Sequence, residues 1–217
     1  MRGIHLCRKS NTMNTKNATF YHLILDKSGS MQTCYHETLS GLNEKFLSIK
    51  NTQLQNPEIP IYVSLTLFSD DTQSLFEYLP ATELPVINPN DYALDGMTAL
   101  CDAMGKVITK MKFQWSDVMK KEDADAVIVV FTDGHENASR HYRVEEIGKL
   151  VSELQKSGKW EFTFYGADID AWHTASQMNF QQSNVFSSKK KEVNNTMLNM
   201  AEHLDHYIRE KKSFLKK

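Results

Sequence analysis

The sequence predicts a doubly wound α/β domain: a mostly parallel sheet with helices on both faces and one antiparallel edge strand. Three observations carry this expectation. Short apolar runs alternate along the chain with apolar stripes at helical spacing, and such alternation implies right-handed crossovers between parallel strands. Residues 126–131 are apolar without a break before Thr132, as a strand covered on both faces requires. Two such runs end in or beside an acid, Asp26 and Asp133, and pass at once into small polar residues, so both deliver polar side chains to one edge of the sheet.

Each element follows in order. The first nineteen residues hold four basic and no acidic side chains and show no periodicity, so 1–18 read as a flexible leader. The first strand starts at Phe20 and ends on Asp26. Leu39, Leu42, Phe46 and Ile49 recur at helical spacing, and Pro57 and Pro60 close that helix. Residues 61–68 alternate as a strand does, with Ile61, Val63, Leu65 and Leu67 on one side. The turn Ser69-Asp70-Asp71 leads to a strand at 72–79, a hairpin at the sheet edge. Residues 80–97, with Pro80, Pro85, Pro89 and Gly96, form a loop longer than compact domains usually carry, and such loops are often functional. Leu100, Met104, Val107, Ile108 and Met111 line the next helix, which precedes the 126–132 strand. Val144, Ile147, Val151 and Leu154 mark a further helix. Residues 159–165 form a strand with Trp160, Phe162 and Phe164 turned to the core, 171–178 a short helix and 184–186 a short strand. Val193, Met197, Met200, Leu204 and Ile208 give the closing helix an apolar face. No repeat or linker divides the chain, so one domain is expected over 19–213, with a basic tail at 214–217.

At 217 residues, 41% hydrophobic and 24% charged, the composition is that of a globular domain rather than a disordered segment. The 25 basic and 27 acidic side chains leave a net charge of −2, which removes the electrostatic case for a nucleic-acid partner. No apolar stretch approaches the ~18 residues of a membrane-spanning helix. The start of the chain, broken by His5, lacks the apolar region of about 7–15 residues that a signal peptide needs. Cys7, Cys34 and Cys101, at wide spacing, match neither a disulfide framework nor a zinc site. A reduced, cytoplasmic setting is expected.

Three separate segments bring hydroxyls and carboxylates to the carboxyl ends of the strands, where open parallel sheets bind ligands. They are Asp26-Lys27-Ser28-Gly29-Ser30, Gly96-Met97-Thr98-Ala99-Leu100 and Thr132-Asp133-Gly134. Singly, Asp26, Ser28 or Ser30 reads as an ordinary helix cap; together they form an oxygen set without thiolate or imidazole. Such a set selects a hard cation, Mg²⁺ first, with Mn²⁺ or Ca²⁺ as alternatives. In order and spacing the three segments resemble the metal-ion-dependent adhesion site of von Willebrand factor A domains, which have a Rossmann-like fold, and the likeness runs over roughly residues 19–210. The run Gly166-Ala167-Asp168-Ile169-Asp170 before a helix also resembles stand-alone bacterial members. The resemblance implies that Ser28 and Ser30 bind the metal directly, and Thr98 directly or through water. It also implies that Asp26 and Asp133 support the site through water or hydroxyl hydrogen bonds. A protein partner's Asp or Glu would complete the coordination, making the domain a metal-dependent interaction module rather than a catalyst, without nucleic acid or membrane as partner.

Other residues carry weaker expectations. Asp95 is a candidate loop ligand at the rim, and Tyr92 a candidate aromatic contact in the long loop. His135 and Glu136 are the most enzyme-like pair: a metal-dependent phosphoester hydrolase with His135 as base is the alternative function. It lacks a nucleophile with a positioned base. Asp102 reads as a first-turn acid stabilised by the helix dipole, Cys101 as buried and inert, and the lysines 189–191 as solvated charge.

Overall fold

In the computed structural model, which describes residues 6–7, 13–167 and 170–215, seven strands form one sheet flanked by five α-helices. Along the chain these are β1 (Leu6–Cys7), β2 (Thr19–Asp26), α1 (Tyr35–Gln55), β3 (Ile61–Phe68), β4 (Thr72–Pro80), α2 (Leu100–Glu122) and β5 (Asp125–Thr132), then α3 (Val144–Gln155), β6 (Trp160–Ala167), α4 (Ala171–Gln177), β7 (Val185–Ser188) and α5 (Val193–Leu215). The sheet order is β1-β4-β3-β2-β5-β6-β7. All neighbours pair in parallel except β3 with β4. The chain winds outward from β2 in one direction to β3 and in the other to β5, so the strand order reverses at β2. The crevice beyond the carboxyl ends of β2 and β5 is therefore the switch point at which such sheets bind ligands.

The alternation of side chains sorts the core into two layers. From β2, Phe20 and Ile24 join Ile128, Phe162 and Met104 on one face, while Tyr21, Leu23 and Leu25 join Val129, Phe46 and Leu204 on the other. Every residue of β2, β3 and β5 is buried, as expected of central strands covered on both sides. Their backbone is thereby held rigid up to the last residue, and Asp26 and Asp133 hang from fixed points. Among the described residues no helix is long and apolar enough to cross a membrane.

Two features differ from the sequence reading at the sheet edge. The antiparallel strand β4 is one place in from the edge, because β1 pairs beside it with Leu6 opposite Phe76 and Cys7 opposite Glu77. A two-residue strand carries too little alternation to be read from sequence; the open hydrogen-bonding edge of β4 is what recruits it. The expected leader, 1–18, thus contains an element, and within it residues 1–5 and 8–12 lie outside the described residues. At the other end α5 runs to Leu215, into the expected tail, whose last two residues lie outside the described ones. So do Asp168 and Ile169 of the bacterial-type run.

Candidate metal centre

The site is built from the end of β2. Asp26 is fully buried. Its Oδ1 accepts the Ser28 N–H at 2.7 Å and its Oδ2 the Thr132 hydroxyl at 2.5 Å. One carboxylate thus sets the loop after β2 and fastens it to the end of β5. Burial pushes the Asp26 carboxyl up to about 6, against the hydrogen bonds from Thr132 and Ser28 that pull it down, and Asp133 adds a further upward push. Beyond Asp26 the chain enters a 3-10 turn, Gly29–Cys34, which aims Ser28 and Ser30 at the same point. Their Oγ atoms lie 3.0 Å apart, and Ser30 Oγ donates to Asp133 Oδ1 at 2.6 Å.

Thr98 arrives from the long loop. It is buried, and its N–H donates to Asn137 Oδ1 at 2.9 Å while its carbonyl accepts the Asn137 N–H at 3.1 Å. A Cβ at Gly134 would meet Thr98 Oγ1 at 2.7 Å and lie 3.6 Å from Ser30 Oγ. Only glycine lets the chain after Asp133 pass this close to the hydroxyls. The five residues singled out as metal ligands, Asp26, Ser28, Ser30, Thr98 and Asp133, therefore surround one point. Gly96 opens the loop before Thr98 at φ +67°, where a Cβ would strike Asp70 Oδ2.

These residues fit a hard divalent ion. Bonds of 2.0–2.1 Å in an octahedron place neighbouring oxygens about 2.9 Å apart, and the Ser28–Ser30 separation of 3.0 Å matches that edge. Among the described residues no three His, Cys, Asp or Glu side chains are placed to hold a metal, so an ion here depends on hydroxyl oxygen. Asp133 Oδ2 is buried and accepts no well-directed hydrogen bond, although the Lys190 Nζ lies 2.6 Å from it. Lys190 was read in sequence as solvated charge; only the fold places it here.

The rim residues divide. Asp95 is exposed and accepts from Lys27 Nζ and, at 2.7 Å, from Ser69 Oγ, and these two bonds hold its carboxyl below the usual range. His135 is exposed on the turn past Asp133 and has no hydrogen-bond partner among the described residues. Tyr92 corrects an expectation: it is fully buried. Its hydroxyl donates to the Asp26 carbonyl at 2.7 Å and its ring stacks on Tyr35 with centroids 5.6 Å apart. It props the ligand loop from beneath and offers no contact surface. Glu136 is likewise spent inside the protein. It accepts the N–H groups of Cys101 at 2.7 Å, Ala138 at 3.0 Å and Ser139 at 2.8 Å, and the Ser139 hydroxyl at 2.8 Å.

Glu136 belongs to a device that sequence reasoning missed. The first N–H groups of a helix have no partner within it. In α2 the Cys101 N–H goes to Glu136 and the Asp102 N–H to Ser139 Oγ at 2.9 Å, so the loop after Asp133 caps the helix that follows Thr98. Asp102 returns the favour, accepting the N–H groups of Arg140, His141 and Tyr142 at 2.8–2.9 Å. Burial raises its carboxyl but is outweighed by these three donors, and the net shift is downward. The capping partners lie 35 to 40 residues from the helix start, beyond the reach of any local capping motif.

Neither a family model nor a curated protein matches the chain. Solved structures do. Proximal thread matrix protein 1 from the mussel byssus matches with a TM-score of 0.60 at 14% identity over 88% of this chain and 47% of its own. The ArnB paralog VWA2 from Sulfolobus acidocaldarius matches with 0.57 at 19% identity over 82% and 44%. The vWF domain of the type V pili tip protein Mfa5 from Porphyromonas gingivalis matches with 0.61 at 9% identity over 88% and 96%. The chain thus spans about half the length of the first two and nearly all of the third. At these identities the likeness establishes the fold, that of the von Willebrand factor A domain.

Proposed function

We propose that this chain is a metal-dependent protein-interaction module, binding a Mg²⁺-type ion at the switch point and, through it, an Asp or Glu side chain of a partner protein. The observation that carries the reading is the approach of Ser28, Ser30, Thr98 and Asp133 from three loops, with the Ser28 and Ser30 hydroxyl oxygens at the spacing of one octahedral edge. Ser28 and Ser30 would hold the ion through neutral oxygens, Thr98 would face it directly or across a water, and Asp26 and Asp133 would fix the hydroxyls and waters around it. When bound, such an ion supplies a Lewis-acidic position whose charge the hydroxyls leave largely unquenched, which favours an incoming carboxylate. The fold supports an interaction role, since structures matched by the chain include the vWF domain of a pilus tip protein and a byssal matrix protein. The buried, unpaired thiols of Cys34 and Cys101 suit the reducing, cytoplasmic setting included in this reading. No observation favours the hydrolase alternative, which needs a held imidazole, whereas His135 is exposed and unoriented among the described residues.

Melting in chelator and in saturating Mg²⁺ tests the proposal. At a hundredfold excess over Kd the ion adds about 2.7 kcal/mol, or roughly 5–10 °C for a chain of this length. Ser28→Ala should abolish the gain. Superimposable wild-type curves with chelator and with Mg²⁺ would overturn the reading.

A further inference from the structure

Lys190 begins the 3-10 turn Lys190–Glu192 that leads into α5, and from there its side chain reaches the candidate metal centre. Its Nζ is 2.6 Å from Asp133 Oδ2 and 3.4 Å from the Ser30 carbonyl oxygen. The Asp133 side chain is fully buried, and that of Lys190 is 22% exposed. The other Asp133 oxygen already accepts the Ser30 hydroxyl. Both oxygens are therefore engaged, one by a hydroxyl of the metal cradle and one by an ammonium.

We infer that Lys190 is a tethered cation that competes with the divalent ion for Asp133 and so sets the metal affinity of the site, an inference that rests on the metal reading above. The one negative charge of Asp133 does not neutralise both an ammonium on one oxygen and a doubly charged ion faced through the Ser30 hydroxyl on the other. Held a few ångströms apart at the edge of the protein interior, those two cations repel strongly. Lys190 has the means to yield. Its contact with Asp133 is not a well-directed hydrogen bond, its side chain is partly open to solvent, and lysine carries its charge on a flexible four-carbon stem. Metal entry would move the ammonium outward along that stem. The resting charge of the site is then balanced from within the chain, at the expense of affinity for the ion.

Calorimetric titration of Mg²⁺ and Mn²⁺ into the full chain tests this, with Lys190→Met, Lys190→Gln, Lys190→Arg and, as a site-loss control, Ser30→Ala. Circular dichroism confirms that each variant is folded. Removing the charge in the Met or Gln variant should tighten Kd at least about tenfold. Arg, which keeps it, should stay within about threefold of wild type. If wild type and both neutral variants bind with equal Kd, or the neutral variants bind more weakly, the competition is refuted while the metal reading stands. If none binds up to roughly 10 mM, above the weakest range of oxygen-ligand sites, the metal reading itself fails and this inference with it.

Discussion

Asp102→Asn tests the coupling between the two halves of the site. Asp102 is 5% exposed. Its Oδ2 accepts the Arg140 N–H at 2.9 Å, and its Oδ1 accepts those of His141 at 2.9 Å and Tyr142 at 2.8 Å. Asparagine keeps an acceptor for two of these but turns an NH₂ toward the third, and it removes the charge. Hydrogen bonds to a charged acceptor contribute about 1.5–3 kcal/mol each. Arg140 and His141 are exposed, so water can take over part of their loss, and a total of roughly 2–4 kcal/mol is expected. In a chain of this length that lowers the melting temperature by about 4–16 °C. The pH dependence is a second readout. The Asp102 carboxyl is held below its ordinary value of 3.8, so its contribution is present above that pH and disappears as pH falls through the depressed value. The gap between wild type and variant in urea denaturation should therefore narrow below about pH 4. A loss under about 1 kcal/mol, or a gap unchanged down to pH 3, would refute the argument that this carboxylate welds α2 to the loop after Asp133.

Two further outcomes follow from Tyr92 and Glu161. Tyr92→Phe keeps the stack on Tyr35 but removes the hydroxyl that donates to the Asp26 carbonyl; it should cost about 1–2 kcal/mol in urea, and a neutral result would mean that Tyr92 does not prop the loop. Glu161 is raised from 4.5 to about 7 by burial and by the nearby Asp125 and Glu210, with His203 Nε2 3.4 Å from its Oε1. The folded chain thus keeps a proton that the unfolded chain releases, and wild-type stability should fall as pH rises from about 4.5 to about 7. Glu161→Gln should gain on wild type by about 1–2 kcal/mol across that interval, allowing for partial exposure of the carboxyl. Parallel stability curves for the two proteins from pH 4 to pH 8 would contradict it.

The parts of this molecule that sequence could reveal are those whose physics is local. Continuous burial of β5 shows as an unbroken apolar run, the stripe of α2 as a 3.6-residue period, and Asp26, Ser28 and Ser30 as a spacing that one turn must bring together. Thr98 and Asp133 were legible because each follows or precedes an element whose edge is fixed by the sheet. Tyr92, Glu136 and Lys190 were misread for a common reason. Each is a polar or aromatic side chain in a segment without periodicity, where composition favours the surface. What determines its fate is a partner far along the chain: the Asp26 carbonyl 66 residues away for Tyr92, and the Cys101 N–H 35 residues away for Glu136. An unsatisfied helix end or strand-end carbonyl is a demand that every fold must meet, but the residue that meets it is chosen by topology.

Charge balance also supports the inference that Lys190 competes at this site. Asp26 and Asp133 bring two buried carboxyls to one sheet edge, and Asp133 adds to the burial that raises the Asp26 carboxyl. Some positive charge must therefore enter. Lys27, the nearest lysine along the chain, is turned away to Asp95 on the rim, which also accepts the Ser69 hydroxyl, so it steadies the loop without filling the cradle. Lys190 fills the role from the opposite end of the sequence. Were it a permanent structural partner, full burial and a directed hydrogen bond would be expected, because a buried charge is tolerated only when well satisfied. Instead it is 22% exposed and approaches Asp133 off the hydrogen-bonding direction. Under the inference above, a cation so placed would balance Asp133 until an ion of twice its charge displaced it.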